Sequence, residues 1–188
     1  MRIGHKIQLA LQRVSCLAFA EITAKWSSVP RPSGVTAKAM SSIDVATGAT
    51  VLAKAPHCRM APASTVKLAT ALLLVRLRSD SLDQTIRVEK SDCIRGSRMG
   101  LQPGDIVSYH DLLYGLLLNS GNDAAQAIAR SIGSSLPGAD ANPVTRFVRG
   151  LNLLCSELGL ERTRFANPSG LPKHGQYTTA RDLARLGI

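Results

Sequence analysis

The sequence predicts an α+β fold in which helices predominate. Two short stretches flank a glycine turn near residue 48, apolar residues recur at helical spacing beyond residue 64, and turn-rich segments separate these runs. At 188 residues the chain is long enough for one domain with a substantial core and too short to expect two. Its composition, 45% hydrophobic and 19% charged, is that of an ordinary globular domain.

Folded sequence is expected from about Met40. Ser41–Val45, the turn Ala46-Thr47-Gly48 and Ala49–Ala53 form a β-hairpin, with the glycine supplying the turn. Pro62 then precedes a helix over about 64–78. Its apolar run from Leu68 to Val75, interrupted only by Thr70, reads as buried helix and falls far short of the roughly 18 apolar residues that cross a membrane. Residues 85–107 hold short extended pieces and turns, including Gln102-Pro-Gly-Asp105. A second helix over about 109–118 brings Leu112, Leu113, Leu116 and Leu117 to helical spacing. After a break at Ser120-Gly121, a third helix runs over about 122–132. A fourth, 143–158, carries Phe147, Leu151, Leu154 and Leu158 on one stripe and stops at Gly159. Residues 167–176 form a turn-rich loop, and Thr179-Ala-Arg-Asp182 resembles a capping box that opens a last helix toward Ile188.

Residues 1–39 read as a basic N-terminal segment that combines a possible export signal with a linker. Met1–Lys6 resembles a basic leader and Ala18-Phe19-Ala20 a small-x-small cleavage site, although Gln12 and Arg13 spoil the apolar stretch between them. The net charge of +10 raises nucleic-acid binding as a function class. Six of the cations lie in residues 1–39 against Glu21 alone, and the rest are scattered without an aromatic and basic platform, which argues against that class. Attraction to a polyanionic envelope accounts for the charge equally well. Cys16, Cys58, Cys93 and Cys155 lie far apart, without metal-ligand spacing, and are expected as buried thiols, with a disulfide left open as the alternative.

Two short motifs carry possible chemistry. Ser64-Thr-Val-Lys67 places a hydroxyl and an amine three residues apart at a helix start, on one face and about 5–6 Å apart at Cβ. That suits a nucleophilic serine with a lysine base, because free backbone N–H groups and the positive helix end stabilise developing negative charge. The lysine acts as a base only if burial or a nearby cation lowers its pKa. One S-x-x-K match is expected by chance in a chain this long roughly as often as not, so Ser64 as a cap and Lys67 as a solvated side chain stands as the plain alternative. Ser120-Gly121-Asn122, between two apolar helices, reads equally as a rigid polar turn beside a cleft or as an interhelical turn capped by Asn122.

In this order the motifs resemble those of the serine penicillin-recognising enzymes, S-x-x-K followed by S-x-N. Pro62–Leu68, Gly96–Asp105, Leu117–Ala125 and Phe165–Leu171 through His174–Asp182 are similar to the D-alanyl-D-alanine carboxypeptidase family, the low-molecular-mass penicillin-binding proteins. The resemblance covers about residues 40–188. It implies the β-lactamase/DD-peptidase-like (transpeptidase-like) fold, mostly its helical part plus the N-terminal hairpin.

What the resemblance implies for function is a serine-type carboxypeptidase that removes the terminal D-alanine of peptidoglycan stem peptides. Ser64 would attack the penultimate D-alanine carbonyl, Lys67 would take its proton, Ser120 would relay a proton to the leaving amine, and Asn122 would hold the substrate backbone. Neither metal nor organic cofactor is required. The expected partners are stem peptides ending in D-Ala-D-Ala and β-lactam antibiotics as acylating inhibitors, and the expected location is extracytoplasmic, in the periplasm or cell envelope. The family's third motif, K-T-G, and its K-S-G, H-T-G and R-[ST]-G variants do not occur in these residues. The expectation is therefore a catalytic domain cut before that motif, with its C-terminal strands missing and its activity impaired. A non-catalytic remnant or binding module of the same fold is the alternative. A class A β-lactamase is the lesser rival, since it would show S-D-N where this chain has Ser120-Gly121-Asn122, and neither Glu157 nor Glu161 sits in its E-x-x-L-N context.

Overall fold

The computed structural model describes residues 34–188, so the export-signal reading and Cys16 lie outside the described residues. The described chain forms two compact units that part between Pro56 and His57. In the first, strands β1 (Met40–Ile43) and β2 (Thr50–Lys54) pair antiparallel, Met40 opposite Lys54, with an irregularity between Ser42 and Ile43. Val45 and Ala49 fall in the turn and not in the strands. Asp44 closes that turn: its carboxylate accepts from Thr47 N at 2.8 Å and from the Thr47 hydroxyl, while its carbonyl accepts from Gly48 N at 2.8 Å. Side-chain and backbone hydrogen bonds from Thr47 hold the Asp44 carboxyl below the ordinary carboxylate value.

The second unit contains helices α1 (Val66–Arg78), α2 (Tyr109–Leu117), α3 (Asn122–Ser135), α4 (Pro143–Glu157) and α5 (Ala180–Leu186). A short antiparallel pair, β3 (Thr85–Arg87) and β4 (Ile106–Ser108), arises from the region expected only as extended pieces and turns. α3 is the central helix and packs against α1, α2 and α4. Its buried face is small, with Ala124, Ala125, Ala127 and Ala129 beside Ile128 and Ile132, so its neighbours approach closely. Around it lie Val66 and Leu74 of α1, Leu112 and Leu116 of α2, and Phe147, Leu151 and Leu154 of α4.

α1 is not buried all round, contrary to the expectation from its apolar run. Leu68 is 46% and Val75 38% exposed, while Val66, Ala69, Thr70 and Leu74 are fully buried. The run therefore serves one face of the helix and leaves part of the other open. The helix ends follow local chemistry. Ser108 caps α2 by accepting from Asp111 N at 3.0 Å, and Asn142 caps α4 by accepting from Val144 N at 2.8 Å with Pro143 at the first position. Thr179 caps α5 by accepting from Asp182 N at 3.1 Å, but the Asp182 carboxylate does not complete a capping box. It accepts from Arg162 N at 2.9 Å and Thr163 Oγ1 at 2.8 Å, tying α5 to the segment after α4.

Cys155 is the buried thiol the sequence suggested, pushed up to about 12 by burial and then by Asp182. Cys58 is exposed and Cys93 partly so, because neither lies on a helix face that turns to the core. No helix among the described residues is long and apolar enough to cross a membrane.

Candidate active site

Ser64 and Lys67 meet where a short 3-10 turn, Ala63–Thr65, runs into α1. Lys67 Nζ lies 3.2 Å from Ser64 Oγ, 3.3 Å from Ser120 Oγ, 2.8 Å from Asn122 Oδ1 and 2.9 Å from the Ser169 carbonyl oxygen. The two motifs, more than fifty residues apart in sequence, thus converge on one amine. Ser64 is exposed, Ser120 half-buried and Asn122 buried, and Lys67 is only 2% exposed.

The four neighbours of Nζ are chemically of two kinds. The Asn122 and Ser169 oxygens can only accept, whereas the Ser64 and Ser120 hydroxyls can also donate. A neutral amine has two N–H bonds and one lone pair. Giving the N–H bonds to the two nearer carbonyl oxygens turns the lone pair toward the two hydroxyls. Burial lowers the Lys67 pKa below its ordinary value, and the charge of Asp123 opposes this in part. No ion pair to Lys67 forms among the described residues. The setting is that of a lysine which gives up its proton more readily than a solvated one.

Strained backbone lies beside Ser64 and at Ser120. Ala63 has φ +47° and Ser120 φ +52°, two of the three positive-φ residues other than glycine among the described residues. Such positions cost about 1–3 kcal/mol each and persist only where surrounding contacts over-determine them. At Ala63 the surrounding contact is Gly170, with φ +85°: a Cβ there would sit 1.7 Å from the Ala63 carbonyl oxygen and 3.0 Å from Ser64 N. Only glycine lets the 167–170 loop close on the turn that carries Ser64. Asn167 shapes that loop, its Oδ1 accepting from Ser169 N at 3.1 Å and Gly170 N at 2.7 Å. Thr70, one turn beyond Lys67 on α1, donates to Pro168 O at 2.8 Å.

On the other side the start of α3 holds the 95–101 segment. Asn122 donates through Nδ2 to Arg95 O at 2.9 Å, and its own N–H to Ser97 O at 2.7 Å. Asn122 is thus the first residue of α3 and not its cap, which is Gly121. The fully buried Asp123 carboxylate accepts from Met99 N at 3.0 Å, Gly100 N at 3.0 Å and Leu101 N at 3.1 Å. Gly121 donates its N–H to Gly115 O at 2.9 Å, and a Cβ at 121 would come within 2.9 Å of that same oxygen. A side chain there forces a shift, which is a physical reason for Ser-Gly-Asn in place of Ser-Asp-Asn.

The structure therefore brings Ser64, Lys67, Ser120 and Asn122 together. It adds three groups that sequence reasoning missed: the Ser169 carbonyl, Thr70 and Asp123. Thr70 had a signal, the three-residue spacing from Lys67 that puts it on the same helix face. Glu157 instead pairs with Arg76 at 2.9 Å on the surface, and Glu161 is exposed, so neither reaches the Lys67 cluster. A cavity of about 960 Å³ lies between α4 and residues 159–177 and includes none of Ser64, Lys67 or Ser120. Volume and chemistry disagree here, and the converging serine hydroxyls, buried amine and strained turns identify the candidate site. Among the described residues no group of three or more His, Cys, Asp or Glu side chains is placed to hold a metal ion.

Comparison with known proteins shows the family and the fold. The sequence profile of the D-alanyl-D-alanine carboxypeptidase family matches residues 25–188. The D-alanyl-D-alanine carboxypeptidase DacF of Bacillus subtilis (strain 168) is 34% identical over 157 residues, covering 79% of this chain and 37% of that protein. The crystal structure of the D-alanyl-D-alanine carboxypeptidase DacD from Francisella tularensis superposes with a TM-score of 0.74 at 33% identity, over 85% of this chain and 38% of that one. The Streptomyces K15 DD-transpeptidase gives 0.74 at 32% identity, over 84% and 61%. The chain thus has the DD-peptidase fold and spans between about a third and two thirds of the length of these relatives. It belongs to the D-alanyl-D-alanine carboxypeptidase family.

Proposed function

We propose that the chain carries the acylating centre of a serine D-alanyl-D-alanine carboxypeptidase acting on peptidoglycan stem peptides. The observation that supports this most is the buried Lys67 amine, 3.2 Å from Ser64 Oγ and 3.3 Å from Ser120 Oγ. Neutral Lys67 takes the Ser64 proton as Oγ bonds to the penultimate D-alanine carbonyl carbon. The exposed Ser64 sits at a helix start, where the positive end of the dipole favours the oxyanion. The C–N bond then breaks, and the proton passes from Lys67 through the Ser120 hydroxyl to the leaving D-alanine nitrogen. Water attacks the ester, giving its proton back through Lys67 to Ser64 Oγ and releasing the shortened peptide. Asn122 orients Lys67 through Oδ1 and offers its second Nδ2 hydrogen to the substrate backbone.

β-Lactams enter the same sequence at Ser64, with the strained ring amide in place of the peptide bond. The substrate class puts the working site outside the cytoplasmic membrane, in the periplasm or cell envelope. The test is release of D-alanine from an N-acylated Lys-D-Ala-D-Ala peptide by the wild-type chain, Ser64→Ala and Lys67→Ala. Release that falls about 10³-fold or more in both variants is expected. A folded wild-type chain that neither forms an acyl-enzyme nor releases D-alanine, or release that survives Ser64→Ala, contradicts the proposal.

A further inference from the structure

We propose that Thr70 is a positioning residue for the lysine base: its hydroxyl fixes the Pro168–Ser169 carbonyls so that Ser169 O can hold one N–H of Lys67. This rests on the reading of Ser64 and Lys67 as nucleophile and base. Thr70 is fully buried in the middle of α1, where a threonine hydroxyl ordinarily turns back to its own helix. Here it leaves the helix and donates to Pro168 O at 2.8 Å. The next carbonyl along the loop, Ser169 O, accepts from Lys67 Nζ at 2.9 Å. Residues three apart on one helix face thus grip consecutive carbonyls of one loop.

The loop's own turn, built on Asn167, sets its shape but not its distance from α1. Thr70 and the close fit of Gly170 on Ala63 set that distance. Without the Thr70 hydroxyl the Pro168 carbonyl is left buried without its donor, and the loop draws away from the helix toward water. Ser169 O moves with it. The amine then has one carbonyl acceptor in place of two, and its lone pair is no longer directed at Ser64.

The experiment compares wild type, Thr70→Val, which keeps shape and removes the hydroxyl, and Thr70→Ser, which keeps the hydroxyl. Acylation by benzylpenicillin is followed from neutral to alkaline pH, with the Lys67 amine titrated by NMR on lysine-labelled protein. Thr70→Val is expected to acylate about tenfold or more slowly, since small misplacements of a reacting group carry penalties up to ~10²-fold. Its lysine midpoint moves up toward the ordinary value as water reaches the amine, and Thr70→Ser restores both. A Thr70→Val chain with wild-type rate and midpoint overturns the proposal. Equal losses in both variants with equally lowered melting assign the effect to packing and also overturn it. If the wild-type chain is not acylated, the nucleophile reading fails separately. The titration then decides: an unmoved Thr70→Val midpoint overturns positioning, and a displaced midpoint restored in Thr70→Ser supports it.

Discussion

Lys67 Nζ donates to Asn122 Oδ1 at 2.8 Å, so the side chain proposed to hold substrate also orients the proposed base. That contact gives Asn122→Asp a distinct signature. A carboxylate at this distance favours the charged amine, and the pH at which acylation reaches half its maximum moves upward. At neutral pH the rate falls about tenfold or more, while the high-pH plateau is recovered. A pH–rate profile checks this, and an unchanged midpoint contradicts it.

Burial holds the Lys67 pKa below its ordinary value of 10.5, and this links stability to pH. Below the folded-state value both folded and unfolded chains carry the charge, and the cost of burying it is fully present. Between the folded value and 10.5 the unfolded chain binds a proton that the folded chain does not, so stability rises with pH across that window. Wild type should therefore gain stability relative to Lys67→Met as pH climbs through it. The difference between the urea midpoints of the two chains, measured together, should shift in favour of wild type; parallel curves would rule it out.

Asp123 is wholly buried and satisfies the N–H groups of Met99, Gly100 and Leu101. Asp123→Ala leaves these donors without their acceptor and is expected to cost about 3 kcal/mol. The loss should be visible as a lowered urea midpoint and as faster hydrogen exchange in the 99–101 segment. A change of a few tenths of a kcal/mol would mean the segment is held by other contacts.

Gly170→Ala tests the closure of the loop on Ala63. The new methyl would meet the Ala63 carbonyl at 1.7 Å, at a backbone φ of +85° that alanine adopts at a cost. Roughly 3 kcal/mol or more of stability should be lost. Acylation should fall with it, because Ser64 follows Ala63 directly. Ala at the exposed Gly175, where a Cβ meets nothing within 4 Å, should be milder despite its similar φ of +78°.

Much of the site was legible because its side chains sit in short local patterns. Ser64 and Lys67 share a helix face by spacing alone, and Ser120-Gly121-Asn122 marks the break between α2 and α3. What could not be read was carried by the backbone and by tertiary contact. The Ser169 carbonyl has no side-chain signal, and the meeting of Gly170 with Ala63 joins residues over a hundred positions apart. The helices were legible from periodicity, and the structure extends the third to Ser135. The apolar run of α1 misled because a continuous run gives no face, so the exposure of Leu68 and Val75 was hidden. The extended pieces expected over 85–107 include β3 and β4, but their pairing was not legible because strands of three residues are too short to show alternation.

Whether Ser64 is a nucleophile activated by Lys67 is decided by the intact mass of the chain after incubation with benzylpenicillin, beside Ser64→Ala. Wild type is expected to gain a single covalent penicillin adduct that is absent from the variant. A folded wild-type chain that gains no adduct, or an adduct that persists in Ser64→Ala, would contradict it.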